Sequence, residues 1–194
     1  MRKAIVPIVI ATCLILGGCA PVMSLFGLYD KASLTSNDQI VGNWEIVNDD
    51  NKDKADCCFV FVKSGEGYSM TVPDPDDKEI WLSTAHLVKL GDAMFVDIEP
   101  NSEKFEQTTR IPFPTMKVHT FGRIWIEKDS VRMELLDDDA MKIAVAKGKT
   151  RLTYVNGDDG LTLTSTTEQL QAFAREHAED KEAFSVEVKL RRKL

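Results

Sequence analysis

The sequence has few of the residues that build disulfide scaffolds, zinc sites or nucleic-acid surfaces. It contains four cysteines and three histidines among 194 residues, and its net charge is −7. Four cysteines exclude a disulfide-rich fold at this length, although the adjacent Cys57 and Cys58 could form a strained ring or lie on opposite faces of a strand. An acidic chain is a poor nucleic-acid binder. His86, His119 and His177 match no zinc-binding spacing.

We therefore expect no metal centre, no cofactor and no nucleic-acid partner. The alternative is a two-histidine site, because His86 and His119 fall in segments that could become neighbouring strands. The acidic stretch that begins at Asp49 resembles the start of a calcium loop. However, Lys54 stands where that loop needs Gly, and Val60 stands where it needs Glu.

Catalytic motifs are also missing. The sequence has no Gly-x-Ser-x-Gly elbow, no phosphate-binding loop and no dinucleotide fingerprint. It shows no convincing nucleophile beside a general base. We therefore expect a protein that is not an enzyme.

The N-terminus has the three parts of a secretory signal. A basic start is followed by an apolar run over residues 4–16 and by the small residues Gly17 and Gly18. Removal of this signal takes away Arg2 and Lys3 and changes the net charge from −7 to −9. An uncleaved membrane anchor is the alternative, because no charge lies between residues 4 and 29 and about 20 apolar residues can span a bilayer.

The segment Leu16-Gly17-Gly18-Cys19 resembles the lipobox of bacterial lipoproteins. The resemblance implies transfer of a diacylglyceryl group to the Cys19 thiol, cleavage of a signal peptide over residues 1–18, and acylation of the new N-terminus. Ala20 is not the aspartate that retains such proteins in the inner membrane. The implied location is the outer membrane, facing the periplasm, with the inner membrane and the cell surface left open.

The rest of the chain is expected to form a tether over residues 19–37 and one periplasmic β-rich domain over residues 38–194. β-Branched and aromatic runs alternate there with turn residues, which is typical of an antiparallel sandwich or barrel. Glycine-containing turns at 63–67 and 156–160 predict hairpins. The predicted strands are 41–47, 57–63, 67–72, 79–90, 93–98, 117–127, 130–135, 151–156, 160–164 and 184–190.

Two helices are predicted in the C-terminal third. Ser165 and Glu168 match a capping box, and apolar residues after them recur at helical spacing, which predicts a helix over 167–178. A shorter helix is predicted over 138–146. The fold class is therefore mainly β, either an antiparallel barrel or a strongly curved sheet, with a helix before the last strand.

Gly42-Asn43-Trp44 is similar to the Gly-x-Trp signature of lipocalins and related calycin barrels. This resemblance implies that Trp44 closes the base of a lipocalin-like barrel and stacks on a late arginine, either Arg191 or Arg192. In that family, the arginine normally precedes the helix, whereas both candidates follow it here.

Two functional hypotheses follow from a barrel of about eight strands, whose interior is either filled or holds one small ligand. In the first, a lipid-anchored protein binds a small apolar molecule or lipid inside the barrel. In the second, an envelope interaction protein has a filled barrel and meets an unidentified protein partner through loops such as 111–115. The candidate ligand-binding residues are Trp44, Phe61, Trp81, Phe95, Phe121 and Trp125.

Overall fold

The computed structural model describes residues 21–47, 58–73, 80–100, 117–157 and 160–193. The described residues do not include the predicted signal peptide, Cys19, Cys57 or loop 111–115. Trp81 lies in a described strand, but its side chain is not described. Cys58 carries a free thiol.

The described chain is mainly β, as predicted, with twelve strands and two α-helices. Each strand predicted from residue alternation is present within a few residues of its expected ends. The strands are β1 Met23–Ser24, β2 Leu34–Thr35, β3 Gly42–Ile46, β4 Cys58–Ser64, β5 Gly67–Pro73, β6 Ile80–Leu90, β7 Ala93–Pro100, β8 Thr120–Ile126, β9 Ser130–Leu136, β10 Tyr154–Gly157, β11 Gly160–Leu163 and β12 Phe184–Arg192. The helices are α1 Asp138–Ala146 and α2 Thr167–Glu176.

Eight of the strands form a closed antiparallel barrel. From β3 to β9, each strand pairs with the next one in sequence, and β12 pairs with both β9 and β3. Because the last strand meets the first, the sheet leaves no open edge between them. The prediction of a barrel is confirmed.

Strands β10 and β11 lie outside the barrel, although they were predicted together with the barrel strands. They pair with each other, and β11 also pairs in parallel with β1 to make a separate three-stranded sheet. The physical reason is burial, because Leu161 and Leu163 are buried against the outside of the barrel. All four residues of β10 are exposed.

The molecule has two apolar cores that share the barrel wall. One fills the barrel and contains Trp44, Phe61, Tyr68 and Met133. The other lies outside the barrel, where α2 and the small sheet cover it. Successive residues of a strand point to opposite faces, so the strands between the two cores are apolar on both sides. The outer core includes Phe95, Phe121, Leu170, Phe173 and Phe184.

Each helix begins at a polar side chain that caps its first turn. Asp137 accepts hydrogen bonds from the backbone N–H groups of Asp139 and Ala140 at the start of α1. The capping box of α2 is made by Thr166 and Gln169, not by Ser165 and Glu168 as predicted. The buried hydroxyl of Ser165 instead accepts a hydrogen bond from the backbone N–H of Thr153.

The N-terminal segment, residues 21–35, packs against the outside of the barrel, although residues 19–37 were expected to form a tether. Val22 and Leu28 are buried in the outer core, because their apolar side chains complete the cover over the barrel wall. The segment starts beside the end of β9, where Val22 N–H donates to Leu136 O, and it reaches β6, where Leu34 pairs with Val88.

Arg192 and Trp44 close one end of the barrel, which we call the base. The guanidinium carbon of Arg192 lies 4.2 Å from the centroid of the Trp44 ring, so the predicted contact is confirmed. Arg192 lies opposite Trp44 in the pairing of β12 with β3. Val186 lies towards the other end of β12, where it pairs with Leu135 of β9. We call that opposite end, where β9 finishes at Leu136, the mouth.

Arg192 also donates hydrogen bonds to three backbone carbonyls around the base. The acceptors are Val41 O at 3.1 Å, Gln39 O at 2.5 Å and Lys128 O at 2.7 Å. Gly42 has a φ of +133°, and a Cβ there would lie 2.8 Å from the Arg192 guanidinium. Glycine therefore provides both the backbone conformation and the space for the arginine.

Replacing Arg192 by lysine should lower the free energy of unfolding by about 1–2 kcal/mol, because an ammonium loses the planar packing on the Trp44 ring and cannot donate to all three carbonyls. Arg191→Lys is the matched control, since the side chain of Arg191 is 64% exposed and its contact with Glu45 is a surface ion pair. The control should stay within about 0.5 kcal/mol of the parent protein. Urea unfolding of the three proteins makes the comparison, and equal effects of the two substitutions would contradict this role for Arg192.

Candidate functional site

The residues predicted to line a ligand cavity do not share one cavity. Trp44 and Phe61 are buried inside the barrel, as predicted. Phe95 and Phe121 point outwards into the core beneath α2, so their prediction as interior residues is wrong. The reason is that both faces of their strands are apolar, and composition alone does not indicate which face is inside.

Trp125 also lies outside the barrel, so its prediction as an interior residue is wrong as well. Its ring lies between two guanidinium groups, with Arg123 Cζ at 4.7 Å from the ring centroid and Arg132 Cζ at 3.7 Å. Arg123 in turn forms an ion pair with Glu179 at 2.8 Å. Trp125 is therefore part of a cation–π stack on the barrel wall.

The barrel interior is filled at its base and middle. Trp44, Phe61 and Tyr68 have no exposed surface there. Towards the mouth, the interior residues become half-buried. The residues of this mouth layer are Ile46, Phe59, Val72, Ile98 and Val186.

A cluster of ionisable side chains lies on the outer wall of the barrel, beneath the N-terminal segment. We call it the Asp97 cluster; it consists of Tyr29, His86, Asp97, Glu99 and His119. Asp97 is 0% exposed, and its Oδ1 lies 2.8 Å from His119 Nδ1. His119 Nε2 faces Glu99 Oε2 at 3.8 Å. The ring of Tyr29 stacks on that of His86 with their centroids 4.0 Å apart.

The Asp97 cluster holds the N-terminal segment in place. Leu28 N–H donates to Asp97 Oδ2 at 2.6 Å, so the buried carboxylate has a separate partner on each oxygen. The backbones of Ser24 and His119 exchange two hydrogen bonds of 2.8 Å. A Cβ on Gly27 would lie 3.1 Å from the Tyr29 ring and 3.2 Å from the His119 ring. The segment therefore passes close against the cluster.

The two histidines of the cluster have opposite pKa shifts. Burial opposes protonation of His119, but its hydrogen bond to Asp97 and the charges of Asp97 and Glu99 outweigh burial and raise its pKa. Burial lowers the pKa of His86 more than the nearby carboxylates raise it. Within the described residues, the buried His86 Nδ1 has no hydrogen-bond partner. Burial, followed by the charges of Glu99 and Asp97, raises the pKa of Tyr29.

The geometry favours a structural role for the Asp97–His119 pair. Asp97 orients the imidazole as a carboxylate does in a catalytic dyad, but the other ring nitrogen of His119 faces Glu99 rather than a hydroxyl or thiol. His86 and His119 were expected in segments that could become neighbouring strands, but β7 lies between β6, which carries His86, and β8, which follows His119. Asp97, Glu99 and Tyr29 were missed. The sequence signal that could have indicated this cluster is the pair Asp97 and Glu99, which occupy alternate positions of the otherwise apolar strand β7.

An apolar groove of about 510 Å³ runs beside α1, near the mouth of the barrel. We call it the α1 groove. Its lining includes charged residues of both signs, with three lysines at 147, 149 and 181 and four acidic residues at 137, 139, 180 and 182, of which Asp137 is buried. Its apolar lining consists of Ala140, Met141, Ile143, Ala144, Phe173 and Ala183.

The pKa shifts in the Asp97 cluster can be measured directly by NMR titration of the histidine ring protons. We expect His119 to titrate above its ordinary value of about 6.5 and His86 below it. Asp97→Asn should lower the titration midpoint of His119, because the variant loses the carboxylate charge that opposes the effect of burial. An unchanged His119 midpoint in this variant would contradict the assigned pair.

The same shifts set the pH dependence of folding stability. The pKa of His119 is raised on folding, so its stabilising contribution is complete below about pH 6.5 and is lost as the pH rises through the folded pKa. The lowered pKa of His86 has the opposite consequence, a contribution that is present above about pH 6.5 and lost as the pH falls. Asp97→Asn should remove the His119 contribution and lower the pKa of His86 further, because the charge of Asp97 opposes the effect of burial on His86. Urea unfolding of the parent protein and the variant at several pH values measures both changes.

Among the described residues, no group of three or more His, Cys, Asp or Glu side chains is placed to hold a metal ion. Within the same part of the chain, neither helix combines the length and the apolar character needed to cross a membrane. No family model, curated protein or solved structure matches this chain.

Proposed function

We propose that this protein is a bacterial lipoprotein anchored through Cys19, and that its filled barrel is a periplasmic scaffold that contacts partners through its outer surface. The observation that carries the scaffold role is the packed interior, in which Trp44, Phe61 and Tyr68 are fully buried. The α1 groove lies outside the barrel. The proposal includes no catalytic role and no cofactor, and it places the anchor in the outer membrane.

The packing of the N-terminal segment supports a lipid anchor over an uncleaved membrane span. Val22 and Leu28 are buried against the barrel, so they are not available to a bilayer. Only residues 4–20 of the uncharged N-terminal stretch are then left, and this length is at the lower limit for a helix that spans a bilayer. Acyl chains on Cys19 need no spanning segment.

The second candidate function is the binding of a small apolar molecule at the mouth of the barrel. The half-buried apolar residues of the mouth layer favour it, because ligand sites are lined mostly by apolar side chains. The contact between Arg192 and Trp44 supports a proposed relationship to the lipocalins. A shared barrel does not by itself specify a ligand, because one fold supports many functions.

The lipid anchor is tested by substituting Cys19. A host strain that expresses Cys19→Ala and is fed labelled palmitate should accumulate an unprocessed precursor without label, because the acceptor thiol is missing. Cys58→Ala is the matched control and should be processed and labelled like the parent protein. Undiminished labelling of Cys19→Ala would contradict the lipoprotein proposal.

The filled barrel is tested by native mass spectrometry of protein purified from its own host. A scaffold should have the mass of the processed chain and its covalent lipid, with no additional small molecule. A retained apolar molecule that is lost after Phe59→Asp would contradict the scaffold and support binding at the mouth. Phe26→Asp, at an exposed phenylalanine outside the barrel, is the control for nonspecific loss.

A further inference from the structure

We propose that the α1 groove holds one acyl chain of the lipid attached to Cys19. This inference rests on the proposed lipid anchor and adds a binding site for part of that lipid. The groove has an apolar floor and an opening to solvent, and Ile143 within it is 53% exposed. A large apolar side chain of the groove lining is thus left partly uncovered.

The position of the N-terminus identifies the occupant. Pro21 pairs with Asp137 in an isolated antiparallel bridge, and Asp137 lines the α1 groove. Paired backbones lie about 4.8 Å apart, and the two residues from Pro21 back to Cys19 span at most about 7 Å. An acyl chain on Cys19 therefore begins within reach of the groove.

The chemistry of the groove also suits an acyl chain. The groove lining contains lysines and carboxylates in nearly equal number, so the groove offers no strong preference for an anionic headgroup. A glyceride or amide-linked acyl chain is uncharged and needs only an apolar floor. Ala140, Ile143 and Ala144 recur at helical spacing along α1 and line one side of that floor.

The occupant can be mapped by photocrosslinking within the full-length protein. The host is fed palmitate that carries a diazirine, and the processed protein is purified in mild detergent, irradiated and digested. The expected crosslinks join the acyl chain to peptides from α1 and from residues 180–185. Crosslinks spread evenly over the surface would overturn the proposal.

A matched pair of substitutions separates docking from simple proximity. Ile143→Glu places a charge in the α1 groove and should reduce crosslinking to α1 at least about fivefold. Val155→Glu is the control, because Val155 lies on β10, outside the groove lining, and is exposed to a similar extent, 58% against 53%. Equal crosslinking in the two variants would overturn the proposal. Circular dichroism checks that both are folded.

Two further outcomes distinguish this proposal from others. Absence of the diazirine palmitate from the parent protein would overturn the lipid anchor, and the docking proposal with it. Labelled protein without crosslinks to α1 would overturn the docking proposal alone. Crosslinking of α1 in Cys19→Ala by free diazirine palmitate, at the yield of the parent protein, would show a site for external lipid and overturn the choice of occupant.

Discussion

Arg192 joins three parts of the chain at the point where the barrel must close. Its guanidinium packs on Trp44 of the first barrel strand and donates to carbonyls on both sides of the base. A barrel has no sheet edge only if its first and last strands stay paired. Here, that pairing involves only three residue pairs between β12 and β3, from Leu190 to Arg192. The side-chain contacts of Arg192 at the base therefore stabilise the short pairing between β12 and β3.

Closure leaves a second apolar surface that has to be covered. The outward side chains of the barrel wall include Val88, Phe95 and Phe121, which are all buried. The N-terminal segment, α2 and the small sheet cover them. The segment also brings a backbone N–H to the buried carboxylate of Asp97. Because an unpaired buried charge is costly, Asp97 favours the conformation in which the segment and His119 are both in contact with it.

Local patterns predicted the strands and helices, whereas the placement of residues between the two cores required the tertiary structure. Alternation identifies a strand, but it does not indicate the inner face when both faces are buried. Phe95 and Phe121 were assigned to the wrong side for this reason. The contact of Trp44 with a late arginine was predicted correctly because the resemblance specified it, although the sequence left Arg191 and Arg192 as alternatives. The Asp97–His119 pair joins adjacent strands, and no local spacing indicates such a pair.

The path of the N-terminal segment relates the proposed anchor to the barrel. Pro21 lies beside Asp137 at the mouth, and Leu34 pairs with Val88 nearer the base, so the segment crosses the wall from one end towards the other. With Cys19 anchored as proposed, the mouth is the end of the barrel nearer to the membrane, and the base with Arg192 is the farther end. The mouth layer and the α1 groove would then both lie at the end of the barrel that is nearer to the membrane. The Asp97 cluster holds the segment against the wall, so with the proposed anchor it would also determine which end of the barrel lies nearer to the membrane.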